Sequence, residues 1–240
     1  MKRTFFSLAL LLAVATLTAQ TKMTAREAAV KIADRILAST TYEFKNTKTG
    51  EIYKSVKKLP LDMDVKVACK YNNWHYTNGV TNMALMELGD KLGDKKYEKY
   101  VLKNMNFVFN EGNLDFFRKQ YDEAFKRDGW NAVRKLSWHM IFRGKRLDDN
   151  GPMGASLIEL QLKYPNDSFL GYINETAEHL NYGEPRLVDG TIARIWPHVN
   201  TIWADDAFMA ISFLARMGKL TGDEKYFNDA ANQAVSYTHL

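Results

Sequence analysis

The chain has 240 residues, 46% of them hydrophobic and 25% charged, with 33 Lys and Arg against 28 Asp and Glu. That balance excludes a disordered or collagen-like chain and leaves enough apolar material for one large domain or two small ones. Cys69 is the single cysteine, so an internal disulfide and a cysteine-built zinc site are also excluded.

The chain opens with Lys2 and Arg3, then an almost wholly apolar run from Phe5 to Leu17, then the small residue Ala19. A basic start, a short greasy stretch and a small residue at the cut form the plan of a secretory signal peptide. Residues 1–19 are therefore read as a leader, and residues 20–240 as the domain. The run is short for a permanent span, so no stable membrane association is expected, and the mature protein is placed in the periplasm or outside the cell. Loss of Lys2 and Arg3 leaves the remainder only mildly basic. Its basic residues are scattered with no run of five, and no nucleic-acid partner is expected. In an oxidising compartment a lone thiol is best kept out of reach, so Cys69 is expected to be buried and inert.

Thr24 to Ser39 carries apolar residues at helical spacing, with Thr24 as N-cap and Glu27 completing a capping box. The stretch 43–55 holds Asn46, Thr47, Thr49 and Gly50, turn residues that join two short strands. One plan then recurs. Trp74 to Lys103 and Trp203 to Gln233 each read as a helix, a turn (KLGDKKY or KLTGDEKY) and a second helix, and Asp149 to Leu180 repeats it more loosely. Tyr97 and Tyr226, just after the Gly-Asp turns, are expected to pack back on the preceding helix. Met83, Met86, Met209 and Met217 fall at core positions. Phe116 to Arg146 reads as a helical connection across the rim. The repeats are irregularly spaced, which disfavours a strict solenoid and favours a toroid of helix pairs whose inner helices start at one rim.

The inner helices begin with Trp74-His75-Tyr76, with Asp148-Asp149-Asn150-Gly151 and with Trp203-Ala204-Asp205-Asp206. Aromatic faces suit sugar rings and carboxylates suit proton transfer at a glycosidic or enol-ether centre. Aspartate is also a favoured cap and complements the helix dipole. A cap needs one side chain, however, and two of these starts carry a doubled aspartate. His75 and His198 have no second histidine at metal spacing, so no metal is expected.

WHYTNGV at 74–80, LDDNGPMGA at 147–155 and TIWADDAFM at 201–209 together resemble the unsaturated glucuronyl and rhamnogalacturonyl hydrolases of glycoside hydrolase families 88 and 105, family 105 more closely. The resemblance implies an all-α (α/α)6 barrel of six helical hairpins and no cofactor. It also implies an oligosaccharide substrate bearing a 4,5-unsaturated uronic acid at its non-reducing end. Asp205 matches the principal acid/base aspartate and Asp149 the second essential one. Their neighbours Asp206 and Asp148 leave each assignment open by one position. Trp74, His75 and Tyr76 match a substrate-contacting rim, and Trp203 matches a pocket aromatic. Arg194 stands where some members carry a histidine, and is the candidate cation for the substrate carboxylate. Only three clear hairpins follow the leading helix, and the amphipathic pattern fades after Ala234. The chain is therefore read as an N-terminal fragment of the barrel.

The implied reaction adds water across the C4=C5 vinyl ether. Asp205 protonates C4, a carboxylate-activated water attacks C5, and the hemiketal opens to release the aglycone. Two other readings fit the same residues: a conventional inverting (α/α)6 glycosidase, and a non-catalytic carbohydrate-binding helical protein.

Overall fold

A computed structural model describes residues 23–109, 112–143 and 147–238. The leader read at residues 1–19 lies outside the described residues. The chain divides into two compact units at Arg35–Ile36, a boundary that falls within the first helix, α1 (Ala25–Ser39). In the first unit the capping box is closed. The Glu27 amide donates to Thr24 Oγ1 at 3.2 Å and the Thr24 amide donates to the Glu27 carboxylate at 2.9 Å.

The second unit opens with a small antiparallel sheet of β1 (Phe44–Asn46), β2 (Ile52–Tyr53) and β3 (Val65–Val67), in the order β2-β1-β3. The expected hairpin is β1–β2, with Phe44 opposite Tyr53. The Asn46 side chain accepts from the amides of Lys48 and Thr49 to shape the turn. Strand β3 was not legible in the sequence, because three residues are too few for an alternating pattern to register. The sheet buries Phe44 against the rings of Phe107, Phe116 and Phe117.

Among the described residues, three helical hairpins follow, as the repeat predicts. They are α2 (Tyr76–Leu92) with α3 (Lys96–Phe109), α6 (Leu147–Lys163) with α7 (Asp167–Glu178), and α8 (Ala204–Thr221) with α9 (Glu224–Thr238). Gly93 and Gly222 terminate α2 and α8 in the left-handed conformation that only glycine adopts without penalty. Between the first two hairpins run α4 (Asn113–Val133), kinked at Asp128–Gly129, and the short α5 (Met140–Arg143). Helix α9 continues through Thr238, so the fading of amphipathic character after Ala234 does not end the helix. Cys69 is half-buried, with its thiol 3.8 Å from the Ser39 carbonyl, and not enclosed as expected.

Helix α6 is the centre of the second unit, packing on α2, α7 and α8. Every residue from Asp149 to Ile158 is buried, which is why its sequence is apolar or small around the whole helix. Glycines set the spacing. A β-carbon at Gly79 on α2 would lie 2.4–2.6 Å from the backbone of Pro152 and Met153, and one at Gly151 would lie 2.5 Å from the Met209 carbonyl oxygen on α8. All three inner helices therefore meet near their N-terminal ends. Farther along, Lys163 pairs with Asp90 of α2 at 3.2 Å and Arg216 of α8 pairs with Glu159 at 2.9 Å. Such partly exposed pairs contribute about 0–1 kcal/mol each, against about 1.5–3 kcal/mol for each fully buried apolar side chain such as Leu157, Ile158 or Leu160. Packing holds the helices together, and the ion pairs adjust their register.

Gly79→Ala and Gly151→Ala should each lower stability by about 1–3 kcal/mol in urea unfolding, because backbone cannot give way as a flexible side chain would. Gly171→Ala, on the open face of α7 with no heavy atom within 4 Å of the added carbon, should raise it by about 0.4–1 kcal/mol.

Candidate active site

The common start of the inner helices places the doubled aspartates of α6 and α8 around one guanidinium. Arg194 precedes α8 on a short loop, and its Nε and Nη2 donate to the two carboxylate oxygens of Asp206 at 2.6 and 2.8 Å. The same Nη2 stands 3.7 Å from Asp148 and 4.0 Å from Asp205. The Trp203 ring lies 3.9 Å from the guanidinium carbon. Five residues singled out by sequence, or their immediate neighbours, are thus brought together: Asp148, Arg194, Trp203, Asp205 and Asp206.

Each doubled aspartate splits in the same way. Asp206 is buried in its fork with Arg194. Asp149 is 2% exposed, and both its oxygens are held by Arg143, with Nη2 at 2.7 Å and Nε closer still. The Asp149 carbonyl also accepts from the Trp74 indole N–H at 2.6 Å. The first member of each pair is the freer one. The Asp205 side chain is 54% exposed, and Asp148 lines a cleft of about 440 Å³. Burial raises the Asp148 carboxyl above the ordinary aspartate range. Arg194 opposes that shift, and the neighbouring carboxylates of Asp206, Asp205 and Asp149 reinforce it. Helix α8 has Trp203, not an aspartate, at its N-cap, so capping does not account for its doubled aspartate.

The remaining rim residues take other places. Trp74, read from sequence as a substrate contact, is 0% exposed. It packs edge-on against Tyr172 at 4.7 Å and serves to fix the Asp149 backbone. The Asn73 side chain secures it, accepting from the Trp74 amide at 2.9 Å and from the Trp138 amide at 2.7 Å. Trp138 holds a left-handed backbone angle (φ 61°), an arrangement that a bulky residue keeps only where its surroundings enforce it. His75 caps α2, its Nδ1 accepting from the Thr77 amide, and its ring packs on exposed Tyr76 at 4.5 Å. Neither His75 nor Tyr76 lines the cleft that holds Asp148.

Sequence reasoning did not single out Arg143, whose role depends on the unpatterned connection before α6, nor His179 and Glu184. The last two form a hydrogen-bonded pair on the cleft wall, at 2.9 Å, across a π-helical turn (His179–Gly183) that extends α7 and that Glu184 ends in extended conformation. Burial raises the Glu184 carboxyl above its usual range, while His179 and Arg186 pull it back. A π-turn has no sequence periodicity of its own by which to be recognised. Among the described residues no group of three or more His, Cys, Asp or Glu side chains is arranged to hold a metal ion. Among them, too, no helix is long and apolar enough to cross a membrane.

The family model of Glycosyl Hydrolase Family 88 matches residues 55–239, which takes in every hairpin and both doubled aspartates. The chain belongs to glycosyl hydrolase family 88. Two solved structures resemble this family 88 chain, each described as a possible member of the GH105 family. One, from Salmonella enterica subsp. enterica serovar Paratyphi A str. ATCC 9150, is 15% identical with a TM-score of 0.52, covering 93% of this chain and 50% of that one. The other, from Klebsiella pneumoniae subsp. pneumoniae MGH 78578, is 14% identical with a TM-score of 0.53 and the same coverage. At such identity the likeness establishes the fold, of the (α/α)6 glycosidase type, of which the described residues supply three hairpins. The chain spans about half the length of these structures. No curated protein matches the sequence.

The split within each pair predicts opposite effects on folding. Asp149→Asn and Asp206→Asn remove a charge that a buried arginine fork requires, and should each cost about 2–3 kcal/mol in denaturant unfolding at pH 7. Asp148→Asn should leave stability unchanged or raise it. A carboxyl whose folded pKa is raised favours the fold at low pH, and that contribution is lost as pH rises through the folded value. The Asn variant should therefore flatten this part of the stability–pH curve.

Proposed function

We propose that this family 88 chain hydrates the C4=C5 double bond of a 4,5-unsaturated uronic acid at the non-reducing end of an oligosaccharide. The observation that carries the reading is the pairing of two unlike carboxyls across Arg194. Asp148 is half-buried and inclined to hold its proton, and Asp205 is open to water. The reaction asks for that combination. A protonated acid must deliver a proton to C4, and an ionised one must take a proton from the water that attacks C5.

The order of events follows from the electron flow. Asp148 gives its proton to C4, and the π electrons of the vinyl ether form the new C–H bond. Positive charge then develops at C5 and is shared with the ring oxygen. Asp205 removes a proton from water as the oxygen bonds to C5, and the resulting hemiketal opens with loss of the aglycone. The resemblance gave proton delivery to Asp205 with Asp149 as its partner. The geometry supports Asp148 as donor, because both oxygens of Asp149 are engaged by Arg143. Asp149 then acts as a positioning residue. Arg194 spends Nε and Nη2 on Asp206, which leaves Nη1 outside the pair to meet the substrate carboxylate. The secretory reading of residues 1–19 would place this activity in the periplasm or outside the cell, where polymer fragments are met.

The full chain should abolish the ultraviolet absorbance of a conjugated unsaturated uronyl disaccharide, with label from heavy-oxygen water entering at C5. Asp148→Asn and Asp205→Asn should each lower kcat by at least about 100-fold. The wild-type rate should fall as pH rises through the raised Asp148 value, since only the protonated form can donate. Label at C1, or cleavage of a saturated oligosaccharide, would instead support an inverting glycosidase and overturn the hydration reading.

A further inference from the structure

The hydration reading uses the inner wall of the cleft and leaves its mouth without a role. There the segment between Arg194 and Thr201 carries an aromatic side chain in an unusual setting. Trp196 is 69% exposed, yet it lines the same cleft as Asp148 and Arg194, with Ile195 beside it. Ile195, Trp196, Val199 and Trp203 are all exposed on this one stretch of chain, and apolar surface gathered at the lip of a cleft marks a contact surface.

The loop that carries it is built and anchored. Arg194 and Thr201 form an antiparallel bridge at its base, the Arg194 amide donating to the Thr201 carbonyl at 2.8 Å. Thr201 Oγ1 donates to the His198 carbonyl at 2.9 Å, and Asn200 takes the left-handed conformation (φ 59°) that closes the turn. Because the guanidinium of Arg194 is itself forked to Asp206, the position of Trp196 is tied to that of the aspartates. The two tryptophans at the ends of this loop differ in what they can offer. Trp203 already has the Arg194 guanidinium over its ring at 3.9 Å. Among the described residues, no ring or cation packs on Trp196.

We infer that Trp196 is the stacking platform for the sugar ring next to the unsaturated uronate, the ring that departs as the aglycone. This rests on the hydration reading for the direction in which the substrate lies. A pyranose presents an apolar C–H face to an aromatic ring and hydroxyls at its edge, and an indole on an anchored loop supplies such a surface. The uronate reaches inward to Arg194 and Asp148, and its neighbour lies outward over Trp196.

Equilibrium binding by calorimetry, with the full chain, compares an unsaturated uronyl disaccharide with the methyl glycoside of the same unsaturated uronic acid. The wild type should bind the disaccharide at least about 10-fold more tightly. Trp196→Ala should erase that preference while changing affinity for the methyl glycoside less than about 2-fold, and Trp196→Phe should retain most of it. Because Trp196 is exposed, its variants should fold as the wild type does, and a melting curve matching the wild type checks this. Absence of disaccharide preference or of binding in the wild type, or an unchanged preference in Trp196→Ala, overturns the platform. Preference that depends on Trp196 without any loss of ultraviolet absorbance would support the platform and overturn the hydration reading, so the two fail separately.

Discussion

The cleft depends on the fork between Arg194 and Asp206. One guanidinium neutralises a buried carboxylate on α8, faces Asp148 on α6, approaches Asp205 and carries the Trp203 ring on its face. Its backbone closes the loop that leads into α8. An arginine fits this place where a lysine would not. The planar fork engages both carboxylate oxygens and still stacks on an aromatic face, whereas an ammonium offers a single point charge. Arg143 and Asp149 repeat the device on α6. The two forks secure the helix starts from which the freer aspartates project.

The energetics explain why polar pairs sit where the helices come closest. Glycine at 79 and 151 lets backbones approach, and the buried aliphatic residues of α6 supply the cohesion. A carboxylate drawn into that region costs several kcal/mol unless it is fully paired. Asp149 and Asp206 are paired by arginines. Asp148 has only a long contact with Arg194 and settles the matter by holding its proton more tightly. Incomplete compensation is thus the physical cause of the raised Asp148 carboxyl.

Much of the fold was legible because it repeats. The hairpins declared themselves through apolar spacing and through the Gly-Asp turns, and Gly93 and Gly222 end their helices where the sequence placed the turns. The capping box at Thr24 was equally readable. Strand β3, the kink in α4 and the π-turn at His179 were not, since each is short and depends on contacts distant in the chain. At the cleft, the sequence located the helix starts whose aspartates gather round Arg194, but not which member of each pair is buried. Successive side chains on a helix are about 100° apart, so adjacent aspartates meet different surroundings: Asp149 and Asp206 enter arginine forks, while Asp148 and Asp205 stay freer. Sequence carries the pair but not the rotation of the helix about its axis. Trp74 was expected at the rim because it stands beside a helix start; it precedes α2 and is held in the core by the Asp149 carbonyl and the Tyr172 ring, partners distant in the chain.

The cleft turns on the unequal settings of the two aspartates at each helix start. Carboxyl-carbon NMR of aspartate-labelled protein, followed as a function of pH, tests that inequality directly, with each resonance assigned by its loss in the corresponding Asn variant. With that inequality the Asp148 carboxyl should titrate above the ordinary aspartate range, and Arg194→Gln should raise it further by removing the opposing charge. An Asp148 resonance that titrates at or below the ordinary value, or that moves down on loss of Arg194, would contradict it.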